Sequence, residues 1–554
     1  VRPTLAALVA IATLVVSTAA AAPRGAVATE HRLAADAGAA VLAAGGSATD
    51  AALAAAAAVC VVHASSCGIG GGGFALVRQG GAEGALDYRE VAPRGATSDR
   101  FIRDGRPDPR LIRTGGLAVG VPGEVAGWVA LHARFGRLPL ARVLAPAVRL
   151  ARDGFPLADA PHLAREIGRH QALLAADPGL AAVFLAPDRT PPAPEFRIVQ
   201  AALADTLERI GVEGADAFYR GGVAGAVVAT VAARGGVLDA HDLAAYRPKW
   251  RTPLAGRFRG RRILTFPPPG SGGIVLEILG LLAHDDLAAL GAGSPTALHL
   301  LAGAMAQGFA DRAAWYGDPD VTPVPVATLL APARLAALRA RLSAVAVHRP
   351  RAALVADAGT AHVSVVDGAD AVAITTTINT GFGAGIMDAK TGIVLNNQMD
   401  DFALAPDLPN AFGLVGTKAN AVAPGKRPQS SMSPTIVLHD GRPELVVGGS
   451  GGPTIVSGVV QAVLGVVAFG MAVPDAVAAP RIHDQAVPPV LAVEPGIAAP
   501  TRAVLVRLGH DVKQVPVLGA VSAAGVGRDG TPTAAGDARK DGGAALTRGP
   551  HPSR

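Results

Sequence analysis

Several scarcities narrow the function of this 554-residue chain before any motif is read. Cysteine occurs twice, as Cys60 and Cys67, with six residues between them. A local disulfide and a pair of buried free thiols both fit that spacing. No Cys/His cluster has zinc spacing, and the fourteen histidines include no His-Glu-x-x-His, so no metal site is expected. Charged residues make up only 17%, and the arginines behind the net charge of +6 are scattered, with no long basic run interleaved with aromatics. Nucleic acid is thereby excluded as an expected partner. Gly68-Ile69-Gly70-Gly71-Gly72-Gly73 is glycine-rich, but no Lys-Ser/Thr follows and it runs into the strand-like Phe74-Ala75-Leu76-Val77-Arg78. That excludes a phosphate loop and leaves tight backbone packing as the reading. No cofactor is called for.

Half of the residues are hydrophobic, enough for one large core or two domains. Val1-Arg2-Pro3-Thr4, the apolar run from Leu5 to Val16 and the small residues to Pro23 have the layout of a secretory signal, with cleavage expected near Ala22. The mature protein is then expected outside the cytoplasm, periplasmic or extracellular, without a stable membrane span. Ser47-Ala48-Thr49-Asp50 predicts a capped helix start, and the nearly featureless apolar body from Ala51 to Val62 predicts burial on every face. Helical spacing recurs over Leu140 to Leu150, Ala160 to Leu174 and Gln200 to Ile210; Arg189 to Pro194 reads as an exposed loop and Pro253 to Thr265 as β structure. From about Val324 to Ala358 the chain is loosely patterned, and such a segment can move once the chain is cut behind it.

The cut is suggested by Gly359-Thr360-Ala361-His362-Val363-Ser364, where a small hydroxyl follows a glycine at the mouth of an alternating, strand-like segment. A threonine hydroxyl needs a base. Cleavage between Gly359 and Thr360 would supply one on the same residue, since a free α-amine titrates near ~8. Downstream stand Thr375-Thr376-Thr377-Ile378-Asn379-Thr380-Gly381, Asn396-Asn397-Gln398-Met399-Asp400-Asp401-Phe402, Gln429-Ser430-Ser431-Met432 and Gly449-Ser450-Gly451-Gly452-Pro453; upstream stands Arg89-Glu90-Val91-Ala92-Pro93.

With these motifs the chain resembles the gamma-glutamyltransferase (glutathione hydrolase) family of the N-terminal-nucleophile superfamily, from about Gly25 to about Ala545. The residues themselves support a mixed α/β fold with strands concentrated after Thr360. The resemblance implies a four-layer αββα sandwich built by both products of a self-cleaved precursor: a signal peptide at 1–22, a large subunit at 23–359 and a small catalytic subunit at 360–554, intertwined in one globular domain. It further implies Thr360 as nucleophile and base, Thr377 as its hydrogen-bond partner, and the N–H groups of Gly451 and Gly452 as oxyanion donors. Arg89, Ser430 and Ser431 would face the α-carboxylate of a γ-glutamyl group, and Asp401, Asn379 and Gln398 its α-ammonium. Glutathione and related γ-glutamyl compounds are the implied substrates, with water, an amino acid or a dipeptide taking the γ-glutamyl group. Two residues depart from the family pattern. Ala361 replaces a second threonine, and Phe412 stands where a lid tyrosine is found, which bears on hydrolysis against transfer more than on acylation. The rival expectations are a glutaryl (cephalosporin-type) acylase, which has no ammonium for Asp401 to meet, and a catalytically silent exported binding protein.

Overall fold

The computed structural model describes residues 23–342, 359–405, 408–527 and 529–548. The signal-peptide expectation for 1–22, and the stretch 343–358 ahead of Gly359, lie outside them.

The helix expected from Ser47 is the innermost one. Helix α1 (Arg32–Ala43) precedes α2 (Ala48–Val62), and all fifteen residues of α2 are buried. Its start closes reciprocally: Asp50 N–H donates to Ser47 Oγ, and Ser47 N–H donates to Asp50 Oδ2 at 2.9 Å. The same oxygen accepts the N–H groups of Arg137 at 2.9 Å and Leu138 at 3.0 Å, tying a distant loop to the cap. Asp50→Ala should therefore cost far more than a lost cap, roughly 3 kcal/mol or more, because three backbone donors, that of Ser47 fully buried, lose their acceptor together. A denaturant midpoint within error of wild type would refute this.

Two sheets lie face to face beyond α2. The first, in spatial order, runs Gly543–Arg548, Pro23–Thr29, Gly359–Asp367, Asp370–Asn379, Gly72–Gln79, Ala82–Tyr88 and Lys249–Arg251; the second runs Pro532–Ala535, Ala520–Val526, Arg442–Ser450, Thr435–His439, Arg261–Thr265 and Leu254–Phe258. Both draw strands from either side of Thr360. We label four of these strands in chain order: β1 (Gly72–Gln79), β2 (Gly359–Asp367), β3 (Asp370–Asn379) and β4 (Arg442–Ser450).

Pleating gives the first sheet two different neighbours. On β1, Ala75 and Val77 join the core shared with α1 and α2, whereas Phe74 and Leu76 join the core shared with the second sheet. The far side of the second sheet is covered by Gly272–Leu281, Pro295–Trp315 and Thr454–Val467, which share that second core. The layers are thus helix, sheet, sheet, helix, the αββα sandwich expected.

Other local expectations hold with adjusted limits. Leu140–Asp153 and Ala201–Glu213 are helices, and Pro253 to Thr265 forms the two strands named above. The stretch from Ala160 to Leu174 is two helices, Pro161–Arg169 and Gln171–Ala175, parted at His170. Of the loosely patterned region, Val326–Leu329 and Pro332–Leu342 are helical. Arg89 sits one residue past the end of the strand Ala82–Tyr88. Cys60 and Cys67 are joined in a disulfide.

Candidate active site

Thr360 is the second residue of β2, on the face turned to the other sheet. Alternation sends Ala361, Val363 and Val365 to the helix-side core, while Ser364 on the Thr360 face donates to Ser522 O across the sheets at 3.1 Å. His362, on that same face, is fully buried between Thr375 Oγ1 at 2.7 Å and Ser364 Oγ at 3.0 Å, and burial holds its imidazole down to about 3. It is a neutral packing element and not a base for Thr360.

Pairing of β2 with β3 is regular as far as Thr360 opposite Thr377, then slips, so that Gly359 faces Asn379 and Ile378 is the extra residue. The slip concentrates polar groups around one peptide bond. Thr377 Oγ1 donates its single proton to Gly359 O at 2.6 Å and accepts from Asn379 N–H at 2.8 Å. Thr360 Oγ1 lies 3.2 Å away. With its proton engaged, Thr377 can only accept from the Thr360 hydroxyl, so it orients that hydroxyl while polarising the carbonyl just ahead of it. Asn379 has φ +82°, a conformation asparagine tolerates better than most residues, and its Nδ2 donates to Asn397 O at 3.1 Å. Beneath this point the glycine run lies in close backbone contact: a Cβ on Gly71 would fall 2.1 Å from Thr377 O.

One small pocket is lined by Thr360, Thr377, Asn379, Arg89, Gln398, Asp401, Ser430, Ser431 and Gly452, with Phe412, Met432 and Ile455 completing its wall. Gly359 and Gly451 flank it through their chain neighbours. Little room is left inside. The reason is an internal ion pair: Arg89 Nη2 bonds directly to Asp401 Oδ2, which also accepts from Gln398 Nε2 at 2.7 Å. Arg89 is fully buried and donates to the carbonyls of Gln429 at 3.1 Å and Pro428 at 3.4 Å. Glu90 lies 3.5 Å from Arg89 Nη1, and burial pushes its carboxyl up to about 8 against the pull of that guanidinium.

Gly451 and Gly452 have φ +115° and +58°, in the turn from β4 into the helix Thr454–Val467. A Cβ on Gly452 would meet the Phe412 ring at 3.0 Å, so that ring lies against the turn. Phe412 is nearly buried, and its carbonyl accepts from Gln485 Nε2 at 3.2 Å.

Two residues with no assigned role in the sequence reading also reach the site. Lys540 is buried and donates from Nζ to Thr360 O at 2.6 Å, with Glu30 Oε2 3.1 Å away. Its signal was hidden, because Arg539-Lys540-Asp541 near the end of the chain reads as ordinary surface charge. Arg312 stands behind Ser431. A lone arginine in a helix carries no mark of burial in the sequence.

A family profile described as Gamma-glutamyltranspeptidase matches residues 34–547. The glutathione hydrolase proenzyme of Escherichia coli (strain K12) is 39% identical over 489 residues, 86% of this chain and 84% of its own. The acylase ACY 1 proenzyme of Pseudomonas sp. (strain V22) is 38% identical over 534 residues, 94% of this chain and 93% of its own. Among solved structures, cephalosporin acylase from Bacillus halodurans superposes with a TM-score of 0.84 at 28% identity, covering 98% of each chain. With that match running through the strand that carries Thr360, the polar slip behind it and the charged pocket in front, the chain belongs to the gamma-glutamyltranspeptidase family.

Proposed function

We propose that the chain is a self-processing gamma-glutamyltransferase acting on glutathione and related γ-glutamyl amides. The observation that carries this reading is a buried cation and a buried anion, Arg89 and Asp401, side by side in the pocket that holds the Thr360 hydroxyl. A γ-glutamyl head group carries one charge of each sign on its α-carbon, and a pocket with both matches it as a glutaryl group does not.

Maturation follows from the geometry at Gly359. Thr360 Oγ attacks the Gly359 carbonyl carbon, the C–N bond breaks, and the hydroxyl proton ends on the Thr360 nitrogen. Water then hydrolyses the ester, leaving chains 23–359 and 360–554 once the signal segment is removed. The freed amine takes the Thr360 proton during acylation by substrate, and the Gly451 and Gly452 N–H groups face the oxyanion. Cysteinylglycine departs from glutathione, and water or an amine acceptor releases the γ-glutamyl group. Export to the periplasm or the medium is part of the proposal, as is a matured enzyme of two subunits. Among the described residues no helix is long and apolar enough to cross a membrane.

Gly451→Ala should cost roughly 10²–10³-fold in kcat, the usual penalty for a displaced oxyanion donor. Its Cβ would lie 2.4 Å from Thr454 Oγ1 and 2.7 Å from Gly519 Cα, so the turn has to shift. Steady-state kinetics at unchanged melting temperature would check it.

The long match to ACY 1 favours one second reading, a glutaryl acylase. Rates on γ-glutamyl-p-nitroanilide and glutaryl-p-nitroanilide, measured beside intact mass and N-terminal sequence, separate the two. Two chains, one beginning at Thr360, and a γ-glutamyl preference support the proposal. Glutaryl preference moves the chain to the acylases, and a single uncut chain without turnover returns it to the silent binding protein.

A further inference from the structure

Arg312 projects from the long helix Pro295–Trp315 into the protein at the back of the pocket, where it is 2% exposed. Among the described residues no carboxylate lies within 4 Å of its guanidinium, which instead donates to two hydroxyls: Nε to Ser271 Oγ at 3.1 Å and Nη2 to Ser431 Oγ at 3.3 Å. Ser271 passes its own proton to Ser430 O at 2.6 Å. One arginine therefore holds both adjacent pocket serines, Ser431 directly and Ser430 through Ser271. A buried cation without a counter-ion is costly, and such sites are commonly completed by an anionic ligand. Arg89 already has Asp401 as partner. Arg312 feels the Asp401 carboxylate only at longer range and has none in contact, and burial holds its guanidinium down to about 10.

A hydroxyl has one proton and two lone pairs. With a lone pair of Ser431 Oγ taken by Arg312, its proton is available to an acceptor in the pocket, and a carboxylate there is the acceptor of matching charge. We propose that Arg312 is a positioning and specificity-determining residue for the carboxylate on the substrate's α-carbon: it fixes Ser431 as a donor and adds a second positive charge behind the serine pair. This deepens the γ-glutamyl reading and rests on it.

The test compares γ-glutamyl-p-nitroanilide with 4-aminobutanoyl-p-nitroanilide, which lacks only the α-carboxylate. Arg312→Met should raise KM for the γ-glutamyl substrate roughly 10–100-fold, as expected for a lost charged hydrogen bond, with kcat within a few fold. The 4-aminobutanoyl kcat/KM should stay near wild type. Self-cleavage involves no α-carboxylate and should proceed normally. Adding Ser431→Ala to Arg312→Met should cost little more, since both act on one contact. Arg312→Lys keeps the charge but reaches only one hydroxyl, so it should give an intermediate KM; it carries the test if Arg312→Met is not recovered folded. Equal losses on both substrates, or loss confined to kcat, would overturn the assignment while leaving the γ-glutamyl reading intact. Wild-type enzyme that turns over glutaryl but not γ-glutamyl anilide would remove both.

Discussion

A Thr360→Ala chain should purify folded and uncut, with γ-glutamyl hydrolysis reduced by roughly 10⁴-fold or more, as when other nucleophiles are deleted. The substitution removes the attacking oxygen, and without cleavage no α-amine appears to serve as base, so nucleophile and base disappear together. The fold should hardly register it. Thr360 Oγ1 makes one hydrogen bond, to Thr377, and Thr377 keeps its bonds to Gly359 O and Asn379 N–H. Thr360→Ser should cut more slowly, because it retains the oxygen and loses the methyl that restricts χ1. Mass spectrometry over time distinguishes the three chains. An alanine variant cut at the wild-type rate would end the mechanism, since the Gly359–Thr360 bond would then be opened by some other group.

How much of this arrangement the sequence disclosed depends on the range of the interaction. The buried helix from Ala48 to Val62 was legible because cap and body are local: Ser47 and Asp50 stand three residues apart, and the apolar stretch has no polar face. The strand at Thr360 was legible through its two-residue alternation. Strand segments such as Phe74 to Val77 lack that alternation, since both faces of the first sheet are covered and every position is apolar. Residues in motifs were found, and contacts between motifs were not. Nothing at Arg89 announces a bond to a side chain 312 positions later, and nothing at Lys540 announces Thr360, 180 positions earlier. The slip opposite Gly359 was likewise invisible, because a bulge depends on which residues the partner strand presents.

Asp401→Asn should lower kcat/KM on γ-glutamyl-p-nitroanilide roughly 10²–10³-fold, the usual range when one member of a buried charge pair is removed. Glutaryl-p-nitroanilide should lose little or gain. Arg89 and Asp401 neutralise one another within the pocket. On the proposed reading a γ-glutamyl group inserts between them, exchanging one internal ion pair for two across the ligand, so that neither charge is left bare. A glutaryl group supplies at most one negative charge, so Asp401 would face nothing positive except the arginine the ligand had displaced. Asparagine keeps the shape and an acceptor for Gln398 Nε2, 2.7 Å away in wild type, which limits structural damage. Arg89→Met should impair both substrates, by leaving Asp401 buried and the carboxylate unclamped, and the double variant should fall well short of the product of the single losses. If Asp401→Asn depressed both anilides equally, Asp401 would be a support for Arg89 and not a reader of the ammonium, and discrimination from the acylases would have to come from elsewhere in the pocket.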